Sequence, residues 1–148
     1  MARDCFRETS WADEAALAGL LHDLGKYGDL FQRRLKGEES GLDHWSAGAW
    51  VALKYRCAAA ALAIQGHHIG LQNLNQHALA NLKPDLLTSH HPLQLRLTAM
   101  DTQLLESRFA ADGMTLPQIA HSMLGKELGA TISSMLDLRM LFSALGVC

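Results

Sequence analysis

Three short strings in this sequence carry side chains suited to divalent metal: His22-Asp23-Leu24-Gly25-Lys26, Asp43-His44 and Gly66-His67-His68. An imidazole nitrogen beside a carboxylate oxygen fits a borderline ion such as Mn, Fe, Co, Ni or Zn. Asp23, with two oxygens, can bridge two ions. Adjacent helical residues project roughly 100° apart, so His22 and Asp23 can lean toward one cavity while Leu20, Leu21 and Leu24 anchor their backbone. Lys26, one helical turn beyond His22, adds a point charge. Each group taken singly has a plainer explanation. A His-Asp dipeptide often serves only solvation or capping, His44 fits a helix start, and His67 and His68 read as one core and one surface histidine. Five such groups at three helix boundaries form a candidate cage.

The elements that must position these groups are helices, because apolar residues recur at intervals of three and four. A first helix is predicted from Trp11 to Leu24, with Ser10 as N-cap and Leu17, Leu20, Leu21 and Leu24 on its buried face, ended by Gly25. Tyr27 to Leu35 forms a turn or two of helix, and Lys36 to Asp43 is a loop with two glycines. Asp43 or Ser46 starts the next helix, which carries Trp50, Leu53 and Tyr55. A further helix ends near Gln65 and Gly66, which puts His67 and His68 at its boundary. Leu71 to Pro92 is expected to be irregular, with a short helix at His77 to Leu82. Leu93 to Ala111, Leu116 to Leu128 and Thr131 to Leu145 are expected to be helices. The expected fold class is therefore all-α, a compact helical bundle.

With 148 residues, 49% of them hydrophobic, the chain supplies one core and is read as a single domain, 1–148. A formal net charge of −2 gives no overall field for polyanions, so any nucleic-acid contact must be local or metal-assisted. Three cysteines at wide spacing, with no CxxC pair, point to a reduced, cytoplasmic protein. The opening string MARDCFRETSWADE is charged and polar, unlike a signal peptide, and Cys57 to Ile64 is too short to span a bilayer, so no membrane is expected.

In order and local wording, HDLGKYGDLFQ, LDHWSAGAW and IQGHHIGL resemble the HD superfamily, and more narrowly the HD nuclease of type I CRISPR systems. The likeness is strong over residues 17 to 72 and weaker over Leu138 to Leu145. The resemblance implies a compact HD-domain bundle and a metal-dependent DNA nuclease preferring single-stranded DNA, working with a fused or separate helicase and the Cascade complex. It further implies His22 and Asp23 as metal ligands, Asp23 shared by two metals, and His44, His67 and His68 completing the shell of the second metal. Lys26 would lie near the scissile phosphate, and Asp23 and Lys26 are the expected catalytic pair.

Two ligands that the resemblance calls for are missing from the sequence. No histidine occurs in residues 1 to 21, and no aspartate follows Leu145, where the chain reads Gly146-Val147-Cys148. Both would serve the first metal, so the chain is expected to be truncated at both ends and to hold one divalent ion tightly. Asp101 and Asp137 are weak substitutes. His90-His91 imitates the ligand pair, but Pro92 follows directly, and a loop or helix-start role is expected there. His77 and His121 read as isolated polar residues. Arg33, Arg34 and Lys36 with Tyr27 and Phe31 read equally as a single-strand track or as a solvated face over two core aromatics. Trp45 reads as a core plug in preference to a stacking platform. The alternatives to a nuclease are an HD phosphohydrolase acting on nucleotides or cyclic nucleotides, which needs an enclosed base pocket, and a catalytically incomplete metal-binding fragment.

Overall fold

A computed structural model of the chain describes residues 12–70 and 83–116. Helix α1 (Ala12–Leu21) places Asp13 and Glu14 in its first turn, where carboxylates complement the helix dipole, and buries Ala15, Leu17, Ala18 and Leu21. A 3-10 turn (Leu24–Tyr27) and helix α2 (Asp29–Leu35) follow. Helix α2 buries none of its residues. Then come strand β1 (Leu42–Asp43), α3 (Ser46–Lys54), α4 (Ala58–Ile69), α5 (Pro84–Ser89), strand β2 (Arg96–Leu97) and α6 (Thr102–Ala111). The described residues are mostly helical.

The core is built where α1, α3 and α4 meet, and it is unusually rich in alanine: Ala15, Ala18, Ala49, Ala52, Ala60, Ala61 and Ala63 are buried there with Leu17, Leu21, Val51 and Ile64. Small side chains let helix axes approach, and Gly48 marks the closest point. A Cβ at Gly48 would stand 1.8 Å from the Leu21 carbonyl oxygen, so no other residue fits where α3 crosses the end of α1. Inside the same layer the Gln65 amide donates to the Ser46 hydroxyl at 2.9 Å, tying α4 to the first turn of α3.

Helix α6 braces the opposite side. Arg108 donates to the Tyr27 carbonyl and pairs with Asp29, both at 2.7 Å, and Phe109 packs edge-on against Tyr27. Lys54 reaches across to Thr102 and Glu106. Thus α6 holds the segment that joins the 3-10 turn to α2.

Several boundaries differ from the sequence expectation. Helix α1 stops at Leu21, and the segment carrying Leu24 to Tyr27 tightens into a 3-10 turn. Helix α4 runs through His67 and His68 to Ile69 and ends at Gly70, whose φ of 80° suits a residue without a side chain. The expected long helix over 93–111 is only its second half. Residues 93–98 (LQLRLT) alternate apolar and polar side chains, and Arg96–Leu97 pair in parallel with Leu42–Asp43. Asp101 then starts α6, its carboxylate accepting from the amides of Gln103 and Leu104. The expected irregular stretch before Pro92 contains helix α5. The N-cap Ser10, the short helix at 77–82 and the helices at 116–128 and 131–145 lie outside the described residues, apart from Leu116. Among the described residues no helix is long and apolar enough to cross a membrane.

Candidate metal centre

The cluster is assembled from the end of α1, the strand-to-helix turn at 43–45 and the last turn of α4. Its geometry starts from Gly25. The Gly25 amide donates to the His44 carbonyl at 3.0 Å, and a Cβ there would stand 2.2 Å from that oxygen. Glycine in the HDLGK string therefore lets two chain segments touch, and this contact carries His44 up to Asp23.

His22 continues the helical hydrogen bonding of α1, its amide bonding to the Ala18 carbonyl at 2.9 Å. Its Nδ1 donates to the Gly19 carbonyl at 2.6 Å, which fixes the ring and aims Nε2 at Asp23 Oδ2, 3.2 Å away. Asp23 is also held by the Lys26 ammonium at 2.7 Å and faces His44 Nε2 at 3.8 Å through its other oxygen. Burial pushes the Asp23 carboxyl up, but the bonds from His22 and Lys26 and their positive charges outweigh it and hold the group well below the usual range. The bond to Asp23 correspondingly raises the His22 imidazole against the opposing effect of burial. A carboxylate so placed stabilises positive charge at this spot, whether a proton or a cation carries it.

The other histidines have the opposite electrostatics. Burial lowers His44, with nearby Lys26 acting in the same direction. Burial lowers His67 too, reinforced by His22. His68 is pushed down to about 4 by burial and then by the adjacent rings of His44 and His67. All three are neutral imidazoles near neutral pH, the form that offers a lone pair to a metal.

His68 is sandwiched. It stacks on Trp45 with centroids 4.6 Å apart and an interplanar angle of 14°, and it meets His44 edge-on at 4.7 Å and His67 at 4.8 Å. His67 in turn meets His22 at 5.8 Å. Two imidazole nitrogens, His44 Nδ1 and His68 Nε2, are buried without a hydrogen-bond partner. A buried nitrogen without a partner is costly, and a cation or a water can satisfy His68 Nε2; His44 turns its other nitrogen, Nε2, toward Asp23.

Asp23, His44 and His68 each offer a ligand atom within 4.8 Å of the others. Ligand atoms bonded to one ion at about 2.0–2.2 Å can stand at most roughly 4.4 Å apart, so a small rotation of one ring closes this set. The donor chemistry, two neutral imidazoles and a carboxylate, fits a divalent transition ion. The five residues expected from the sequence therefore share one cluster, but not equally. Asp23, His44 and His68 converge, His22 lies beside Asp23, and His67 touches the cluster through its ring faces.

Other residues resolve as follows. Asp101 is committed to capping α6, which accounts for its carboxylate without a ligand role. Asp137, His77 and His121 lie outside the described residues. His90 caps the C-terminus of α5 and is exposed, in line with a loop role. Trp45 is a core plug, 7% exposed, and also the floor beneath His68. Arg33 is tied to Glu38 and Glu39, as a solvated face would have it.

One buried pair beside the cluster was missed. His91 Nε2 donates to Asp43 Oδ2 at 2.8 Å, while Asp43 Oδ1 accepts from the Trp45 and Ser46 amides at 2.9 and 2.8 Å. His91 Nδ1 accepts from the Leu93 amide. The pair is almost wholly buried. Its only sequence signal was an aspartate three residues before Ser46, a capping position; the partner histidine is far along the chain.

The molecule so defined is a mostly helical protein with a histidine-aspartate cluster able to hold a metal ion. No protein-family model matches the chain, and neither a curated protein nor a solved structure is significantly similar to it.

Proposed function

We propose that this chain is a metal-dependent phosphodiesterase of the HD superfamily, a nuclease acting on single-stranded DNA in CRISPR interference beside a helicase recruited by the Cascade complex. The observation that carries the reading is the convergence of Asp23, His44 and His68 from three distant segments, with Lys26 already bonded to the shared carboxylate. The motif order described above supports the narrower assignment.

A bound divalent ion would supply Lewis acidity toward a phosphodiester and make hydroxide accessible near neutral pH. The rest falls to the chain. His44 and His68 hold neutral nitrogens toward the cluster, and the Gly19 carbonyl keeps His22 from rotating away. Lys26 is 43% exposed, so its ammonium can serve a phosphate oxygen and Asp23 together and offset charge that builds in the transition state. Trp45 shields His68 from water on one face.

The test is incubation of the chain with Mn(II) or Ni(II) and circular single-stranded DNA, with nucleotides and cyclic nucleotides in parallel. Degradation that EDTA stops and Asp23→Ala removes is expected, with one ion bound per chain. Nucleotide turnover beside intact DNA would move the assignment to an HD phosphohydrolase. Metal binding with neither activity would leave a binding module.

A further inference from the structure

Helix α2 stands out because none of its residues is fully buried and yet it lies against the metal cluster. Its Phe31 ring is 5.3 Å from the His44 ring, tilted by 53°. Two cations lie near that ring: Lys26 Nζ at 6.0 Å and the Arg34 guanidinium at 5.8 Å from its centroid. The two neighbouring arginines differ in their commitments. Arg33 spends its charge on Glu38 and Glu39. Arg34 is exposed and has no carboxylate partner among the described residues. A planar cation is thus held over an aromatic ring, one ring away from a metal ligand, in a helix that core formation does not account for.

We infer that Arg34, backed by Phe31, is the subsite for the nucleotide next to the cleaved phosphodiester of a single-stranded polynucleotide. The guanidinium offers a flat face on which a base stacks and edge donors for a phosphate, and the Phe31 ring holds it in that orientation in advance. Lys26, also near the Phe31 ring and bonded to Asp23, marks the direction of the scissile phosphate. The same helix therefore links the metal cluster to a sequence-tolerant grip on the strand, as stacking on any base requires. This inference rests on the reading of the centre as one that cuts polynucleotides.

The test separates binding from cleavage. Labelled dT and rU oligonucleotides are titrated by fluorescence anisotropy with the chain in EDTA, over a range of salt concentrations, for the wild type, Arg34→Ala, Arg34→Lys, Phe31→Leu and Arg33→Ala. Thermal melting of each variant, and metal affinity in separate EDTA-free samples, establish that each variant is folded. Loss of the stacking plane weakens binding by about five- to a hundredfold. Arg34→Ala also lowers the slope of log K against log salt by about 0.7, the share of one phosphate contact on a single strand. Arg34→Lys keeps the slope but not the affinity, Phe31→Leu weakens binding with the slope kept, and Arg33→Ala binds as wild type. Base stacking and phosphate contact are common to both oligonucleotides, so Arg34-dependent binding of either supports the subsite. Wild-type affinity and slope in the folded Arg34 and Phe31 variants would overturn it while leaving the nuclease reading intact. Wild-type protein that turns over only mononucleotides would overturn that reading and this one with it.

Discussion

Removing the imidazole of His91 should unfasten the metal centre from a distance. In the structure His91 Nδ1 accepts from the Leu93 amide, so the proton sits on Nε2 and is donated to Asp43 Oδ2. Asp43 is fully buried, and its other oxygen caps α3 through two amides immediately beyond His44. His91→Ala leaves one oxygen of this carboxylate without a partner in a place water does not reach. A hydrogen bond to a charged group is worth about 1.5–3 kcal/mol. For a chain of this size that corresponds to roughly 5–10 °C in melting temperature. The loosened turn at 43–45 should also lower metal affinity about 10- to 100-fold, the usual cost of losing a group that orients a ligand. His91→Gln, whose amide can occupy the Nε2 position, should recover most of both effects. The assay is thermal melting without metal, together with calorimetric titration of Mn(II) or Zn(II). A melting loss with unchanged metal affinity would show that the pair supports the fold and does not place His44. Wild-type behaviour in both measurements would refute the reasoning altogether.

Three further outcomes follow from the same contacts. Gly25→Ala pushes a methyl into the His44 carbonyl. It should cost about 1–3 kcal/mol in thermal melting and weaken metal binding in titration, since both backbone segments must shift. Glu14 is 2% exposed, and burial raises its pKa to about 7, offset only in part by a weak hydrogen bond from the Cys57 thiol. Its folded value lies above the ordinary carboxyl value of 4.5, so its contribution is fully present below pH 4.5 and is lost as pH rises through 7. Urea unfolding should show that loss, of order 3 kcal/mol, and Glu14→Gln should flatten the profile and be the more stable protein at pH 8. Metal at a hundred times its dissociation constant should stabilise the wild type by about 2.7 kcal/mol, seen as a higher melting temperature that EDTA reverses and His68→Ala lacks.

Much of the described fold could be read from the chain because its signals were local. Leu17, Leu21 and their alanine neighbours repeat at helical spacing, and Gly25, Gly37 and Gly41 interrupt the pattern where helices end or loops turn. The clustered side chains were legible for the same reason: His22-Asp23 and His67-His68 are each one string, and apolar helices lead into them. What was not legible depended on contacts between distant positions. LQLRLT alternates like a strand, but six residues of alternation do not reveal that two of them will pair with Leu42 and Asp43. Reading them as helix also concealed Asp101 as a cap.

The Asp43–His91 bond shows most directly why part of the site escaped the sequence. Asp43 looked like a helix cap, and it is one, through a single oxygen. A buried carboxylate must satisfy both of its oxygens, so a second partner was required by physics before it could be identified. The dipeptide His90-His91 looked like an imitation of the ligand pair, and Pro92 argued for a loop. That loop is what brings His91 back beside β1, because β2 follows it and pairs with Leu42–Asp43. The short parallel bridge, the buried carboxylate and His44 therefore form one mechanical unit. A change in residues 91–97 should reach the candidate metal centre through Asp43, although none of them belongs to the Asp23, His44 and His68 group.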